Sequence, residues 1–321
     1  MPALVTVVIP ALNERENIPR VRDELDRALA GLPYAFEFIV VDNGSTDGTA
    51  EVAKEICASD PRWKYIGLSR NFGIDASISA GYRLASGDAI VVLYSDLQDP
   101  PDVIPQFLAK WKEGFDVVYG VRTVRPGDPR WRNAAIRLVY AAIAALADVE
   151  IPRNAGDFRL ISRRVRDALM ECPENNRYMR GLIAWLGFRQ VGVRYARRPR
   201  LAGESKFPIG SLIAFALNAF TSFSLKPLRL FTILGFSLLA ISLLAVPVYV
   251  LLYFTSGAPQ GVTTLIVLSL VAIGVNSLGI GVLGEYLGRT YAETKRRPLY
   301  VIAESTNVPE SDLPIAGVPE H

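Results

Sequence analysis

Asp96 and Gln98 stand two residues apart at the end of an apolar run, in the string AIVVLYSDLQDPP. On the carboxyl end of a strand, that spacing turns a carboxylate and an amide oxygen to one side. Such a pair suits Mg2+ or Mn2+, since magnesium commonly takes one or two carboxylates and completes its shell with water and substrate phosphates. The same string also reads as a loop in which Asp99 opens the next helix behind Pro100 and Pro101. Histidine catalysis is excluded, because the single histidine is His321, the last residue. Cys57 and Cys172 are too few and too isolated for a disulfide framework or a zinc site, and read as core thiols in a reducing cytosol.

The elements that must position these groups follow from hydrophobic periodicity. VTVVIP, FEFIVVD, AIVVLYSD and FDVVYG are near-continuous apolar strands, and VRDELDRALA, TAEVAKEICA and VIPQFLAKWKEG are helices between them. This alternation predicts an α/β domain with a mostly parallel sheet. Ligands of such sheets bind outside the carboxyl ends of the strands. Asn13-Glu14, Asp42-Asn43 and Ser95-Asp96 are therefore expected to converge on one crevice. Further on, Trp131 to Asp148 reads as helix, Asp157 to Ser162 as a short returning strand, and Arg189 to Lys206 as a basic strand followed by a loop.

A chain of 321 residues suggests about two units. Charges of both signs are mixed up to Lys226, whereas no charged residue lies between Arg229 and Glu285. Two stretches there, Leu230 to Phe254 and Val262 to Leu283, meet the roughly twenty apolar residues that cross a bilayer. Pro247 and Gly274, Gly279, Gly281 and Gly284 are tolerated in such helices, and the glycines allow close packing. Ile209 to Phe223 is uncharged but short, and reads as an interfacial helix in preference to a buried one.

Lys226, Arg229, Arg289, Lys295, Arg296 and Arg297 flank the spans, while the connector TSGAPQG has no charge. The positive-inside rule then makes both termini cytoplasmic, in a multi-pass membrane protein. Four segments are expected: a cytoplasmic domain at 1–208, an interfacial amphipathic helix at 209–228, a transmembrane hairpin at 229–290, and a C-terminal segment at 291–321 whose residues after about Ala303 form a mobile tail. The opening MPALVTVVIP lacks a basic leader and reads as a buried strand, not a signal peptide. A net charge of +3 is too small to argue for nucleic acid.

VVIPALNERENI, VVDNGSTDGT, SRNFG, YSDLQDPPDVIP, GDFRLISR and RPRLAGESKF occur in that order. Together with the paired spans, they resemble the family 2 glycosyltransferases that act on polyprenyl phosphates, above all bacterial bactoprenol glucosyltransferases and more distantly dolichol-phosphate mannosyltransferases. The resemblance implies a GT-A nucleotide-sugar-binding domain that grips its donor through Pro10, Asn13, Glu14 and Asp42, with Tyr94 and Ser95 beside them. It implies a cation at Asp96 and Gln98, with Asp96 taking part in catalysis. The implied partners are a nucleotide sugar, UDP-glucose first, undecaprenyl or a related polyprenyl phosphate, membrane lipid, and further copies of the chain, with a tetramer as the implied form.

Asp157 matches the residue that the family places at the acceptor. A phosphate monoester has a second pKa near 6 and is largely dianionic at neutral pH, so it needs no base. Asp157 is therefore expected first to orient the acceptor and second to take a proton. Arg122 and Arg132 are candidates for phosphate contacts, and Arg200, Ser205 and Lys206 match a loop that receives the lipid phosphate. Tyr94 and Asn43 depart from the family, which has aspartate at both positions; Tyr94 is expected to weaken metal affinity. A processive polysaccharide synthase lacks support, because the Arg-Trp pair Arg130-Trp131 has Gly127 three residues before Arg130. A binding protein on a degenerate scaffold is the remaining alternative, resting on Tyr94.

Overall fold

The computed structural model describes residues 2–122, 155–174, 177–198 and 261–309, with scattered positions between 231 and 255 and residues 311 and 313. Its centre is a sheet in the spatial order β7-β5-β6-β4-β1-β2-β3-β8. The strands are β1 (Leu4–Ala11), β2 (Ala35–Asp42), β3 (Trp63–Leu68), β4 (Ala89–Val92), β5 (Val117–Arg122), β6 (Ala155–Ser162), β7 (Gln190–Tyr195) and β8 (Ile302–Thr306). β6 and β8 run against the other six. The expected mostly parallel α/β sheet is therefore present.

The strands read as continuous apolar runs because helices cover both faces. On one side Val5, Val7 and Ile9 pack against α1 (Asn17–Leu29), α2 (Thr49–Ser59) and α4 (Ile104–Lys112). On the other, Val8, Val41 and Ile66 pack against α3 (Ile74–Leu84), α5 (Arg163–Met170) and α6 (Met179–Trp185). Periodicity predicts neither β3 nor α3. WKYIGL interrupts its apolar run with Lys64 and Gly67, and α3 is rich in small residues that let it approach β1. At Gly81 of α3, a Cβ would collide with Val8 of β1.

The long helix α7 (Val262–Thr294) contains 33 residues, about 50 Å at 1.5 Å per residue. Val271 and Leu278 are exposed on one side of it, and Ile273, Ile280 and Leu287 on the opposite side. A helix apolar all round suits a membrane rather than one face of a soluble core. Among the described residues it is the one helix long and apolar enough to cross a membrane, over Val271–Thr294. Of the expected first span, the described positions between 231 and 255 are helical. An alanine Cβ at Gly279 would lie 3.4 Å from the Phe231 ring, so the start of that segment meets α7 just past its midpoint. The interfacial helix at 209–228 and the helix at Trp131 to Asp148 lie outside the described residues.

The tail differs from expectation. Ile302–Thr306 form β8, antiparallel to β3, instead of a mobile segment from Ala303. Composition fails here because an edge strand needs few apolar residues when backbone pairing and side-chain clamps hold it. Asn307 supplies such a clamp, donating to the carbonyls of Cys57 and Trp63 at 2.8 and 2.9 Å.

Candidate active site

The carboxyl ends of β1, β2 and β4 meet the N-terminus of α3 around a crevice of about 290 Å3. Pro10, Glu14, Asn43, Tyr94, Ser95 and Asp96 line it, with Asn71 and Gly73 of the SRNFG loop opposite. The three strand ends singled out in the sequence therefore do converge. Asn13 and Asp42 do not line it and instead tie its loops together. Asn13, in the left-handed region at φ 56°, accepts from the Thr46 N–H at 2.9 Å and gives its own N–H to Ser45 Oγ at 2.8 Å. Asp42, only 3% exposed, accepts from the Ser45 N–H at 2.9 Å and from the Tyr65 hydroxyl at 3.2 Å.

Asn43 has a local reason to replace an aspartate. Its Nδ2 donates to Asn71 Oδ1, and its Oδ1 accepts from the Phe72 N–H, both at 2.9 Å. A carboxylate could not donate the first bond. Gly44, at φ +78°, lets this loop lie on Arg70, where a Cβ would come within 2.8 Å of backbone.

After β4 the chain turns sharply. Leu97 is buried at φ 51°, a conformation costly to a branched residue and concentrated at functional sites. The turn folds Gln98 back on Asp96: the Gln98 N–H and Nε2 donate to the two carboxylate oxygens at 3.1 and 2.8 Å. Both side chains stand together, but through this turn beyond the end of β4 and not through strand alternation, and the Gln98 amide presents its nitrogen to Asp96. Asp99 opens no helix. It is fully buried and neutralises arginines, accepting from Tyr195 at 2.5 Å, with Arg122 and Arg197 each 3.3 Å away.

Arg122 accordingly lies beside the crevice rather than in its wall, over Gly156, where a Cβ would meet its Nη2 at 2.8 Å. Burial opposes its charge, but Asp99 and Tyr195 hold the guanidinium above its ordinary range. Arg132, Arg200, Ser205 and Lys206 lie outside the described residues.

Asp157 sits on β6, which crosses antiparallel to β4. Arg180, on the first turn of α6, grips it with two bonds, Nε to Oδ1 at 2.7 Å and Nη2 to Oδ2 at 2.5 Å. The Tyr94 hydroxyl donates to Oδ2 at 2.7 Å. Burial alone would raise the Asp157 pKa, yet the Arg180 bonds and charge outweigh it and hold the carboxyl well below the usual range.

Tyr94 therefore faces Asp157 rather than standing in for a metal-binding carboxylate. Neither Arg180 nor Asp75 was predicted, since nothing in their spacing relates them to Asp157. Asp75 accepts from the Met179 N–H at 3.3 Å, just before Arg180. Burial, with Asp157 adding like charge, pushes the Asp75 carboxyl up to about 6.

Residues 6–170 match the family model for glycosyl transferase family 2, and the chain belongs to that family. It is 38% identical over 311 residues to YkcC of Bacillus subtilis (strain 168), an uncharacterized glycosyltransferase, with 96% of each chain covered. It is 38% identical over 299 residues to the bactoprenol glucosyl transferase of Shigella phage SfV, covering 93% of this chain and 97% of that one. Glucosyl-3-phosphoglycerate synthase of Mycobacterium tuberculosis, solved with Mn2+, UDP-glucose and phosphoglyceric acid, is similar at TM-score 0.46 and 20% identity, covering 68% of this chain and 78% of that one. The protein is a glycosyltransferase with a GT-A-like α/β fold.

Proposed function

We propose that this glycosyltransferase transfers glucose from UDP-glucose to a polyprenyl phosphate, undecaprenyl phosphate or a relative of it, at the cytoplasmic face of a bacterial inner membrane. The observation that carries this reading is the direct passage from the exposed apolar helix α7 into β8 of the catalytic sheet, through residues 295–301. It tethers the crevice to a lipid surface, where a long-chain acceptor resides. The bactoprenol glucosyl transferase relatives support the same acceptor.

The donor nucleotide would lie along Pro10, Glu14 and Ser95, with Asn13 and Asp42 setting the loops around it. Asp96 and Gln98 fit a hard, oxygen-preferring cation, Mg2+ or Mn2+. No three His, Cys, Asp or Glu side chains cluster for a metal among the described residues, so water and donor phosphate oxygens would complete the shell, as magnesium commonly requires. When bound, the ion supplies positive charge against the leaving nucleoside diphosphate.

A phosphate oxygen of the acceptor attacks the anomeric carbon as the bond to the diphosphate breaks, with inversion. Asp157 carries three hydrogen bonds from Arg180 and Tyr94 and is held below the usual carboxylate range, which makes it a poor base. Its role is to orient the acceptor and shape the charge at the anomeric carbon. Arg122 and Arg197 share one carboxylate, Asp99, and the surplus positive charge suits the acceptor phosphate, with Arg132, Arg200, Ser205 and Lys206 extending that surface.

The catalytic unit would span 1–208, the interfacial helix 209–228, the membrane hairpin 229–290 and the C-terminal segment 291–321. Because β8 returns to the sheet, the end of α7 stays on the catalytic side. The Phe231–Gly279 contact supports an antiparallel hairpin with both termini cytoplasmic. Association into a homo-oligomer, a tetramer by family resemblance, belongs to the same reading.

Purified protein in detergent, given UDP-glucose and a short polyprenyl phosphate, is expected to form a hexosyl polyprenyl phosphate detectable by mass spectrometry. UDP-glucose consumption with no lipid product would overturn the acceptor assignment.

A further inference from the structure

Asp157 is placed at the acceptor in the proposed reaction, yet it cannot hold a phosphate by itself: an ionised carboxylate has no proton to donate and repels an anion. Its neighbours decide what can. The Tyr94 hydroxyl has one proton and gives it to Asp157 at 2.7 Å. Arg159, two residues along β6, is 5% exposed, donates to the Gly156 carbonyl at 2.8 Å and lies 3.9 Å from Asp157. It helps to balance the Asp157 charge from within the core, out of reach of a ligand.

Arg180 stands differently. Its Nε and Nη2 are spent on Asp157, at 2.7 and 2.5 Å. Nη1 carries two more N–H donors, which make no hydrogen bond among the described residues, on a side chain that is 22% exposed. Burial opposes the charge, but the bonds to Asp157 outweigh it and hold the guanidinium above its ordinary range. The side chain extends from an anchored turn, because the Met179 side chain is buried and its N–H donates to Asp75 at 3.3 Å. A second arginine lies close by. Arg122 stands over Gly156, the residue before Asp157, near enough for the Arg180 charge to oppose its own. Two guanidinium groups, each tied to a separate carboxylate and held near one another, suit an anion between them.

We infer that Arg180 is a catalytic residue that bridges Asp157 and the acceptor: Nε and Nη2 stay on the carboxylate while Nη1 donates to the phosphate monoester of the polyprenyl chain. This rests on the polyprenyl-phosphate reading, and it gives Asp157 a means of orienting an anion, through the arginine between them.

The test is equilibrium binding of a short polyprenyl phosphate, the matching polyprenol and UDP to full-length protein in detergent, which requires no turnover. Asp157→Asn keeps Nη1 and removes the repelling charge, so it is expected to bind the polyprenyl phosphate at least as tightly as wild type. Asp157→Asn combined with Arg180→Met removes both members of the buried pair, which is tolerated far better than the loss of one. It should bind the polyprenyl phosphate about tenfold more weakly than Asp157→Asn alone, in line with the loss of a charge-assisted hydrogen bond. Its affinities for polyprenol and UDP should stay within about twofold. Arg180→Lys keeps a charge for Asp157 but has no fork to span two anions, and should also weaken the phosphate about tenfold.

A double variant that binds the polyprenyl phosphate as well as Asp157→Asn would make Arg180 a partner of Asp157 only and overturn the inference. Wild-type affinity in Arg180→Lys would do the same. A parallel loss of UDP affinity would move Arg180 to the donor phosphates and equally overturn it. A wild type that binds polyprenyl phosphate no better than polyprenol removes the acceptor reading and this inference together, whereas phosphate-dependent binding that ignores Arg180 removes only the inference.

Discussion

The Tyr94 hydroxyl donates to Asp157 across 2.7 Å, linking the turn after β4 to the strand that crosses beside it. A residue that looks in the sequence like a lost metal ligand is therefore a partner of the Asp157 carboxylate. Tyr94→Phe removes the bond with little change of volume. Turnover is expected to fall about tenfold, the worth of roughly one hydrogen bond, while the metal concentration for half-maximal rate stays the same. A rise in that concentration would return Tyr94 to the metal.

Arg180 keeps Asp157 ionised, and its loss should strand a buried charge. Arg180→Met is expected to cost about 3 kcal/mol or more in stability, as when one partner of a buried pair is removed, and to abolish transfer. The pH dependence has a definite sign. Because the folded-state pKa of Asp157 lies below its unfolded value, the pair stabilises the protein above about pH 4, and that contribution is lost as pH falls further. Thermal unfolding from pH 3 to 7 should show a smaller acid loss in Arg180→Met than in wild type.

Much of this was legible in the sequence, for a physical reason. Strands buried on both faces must be apolar throughout, so β1, β2, β4 and β5 announced themselves and with them the strand ends that line the crevice. That Asp96 and Gln98 lie close was expected from strand alternation, but it is the left-handed turn at Leu97, beyond β4, that brings them together. Arg180 was not, since its pairing with Asp157 depends on α6 packing against the sheet far from β6 in sequence. β8 was also hidden: its stability comes from backbone pairing with β3 and from Asn307, not from apolar residues. Tyr94 was seen, but its direction could not be read from its type.

Asp75 carries the opposite pH signature. Its folded-state pKa is raised to about 6, so the folded protein holds that proton more tightly than the unfolded chain. Its contribution therefore falls as pH rises from about 4 to 6, by on the order of 3 kcal/mol. Asp75→Asn cannot ionise and is expected to be more stable than wild type above pH 6, with the difference vanishing near pH 4. Equal unfolding curves at pH 7.5 would show that the burial cost is relieved in some other way.

The account depends most on the acceptor phosphate supplying its own nucleophile beside an Asp157 that does not titrate. The direct measurement is the transfer rate from UDP-glucose to a short polyprenyl phosphate between pH 5 and 9, in wild type, Asp75→Asn and Asp157→Asn. Wild type and Asp75→Asn should lose rate below about pH 6, where the phosphate takes up its second proton, and stay level above pH 7. Asp157→Asn should follow the same profile at a rate lower by a roughly constant factor of ten to a hundred. An Asp157→Asn rate that climbs tenfold per pH unit above 7, while wild type stays level, would make Asp157 the base and contradict the account.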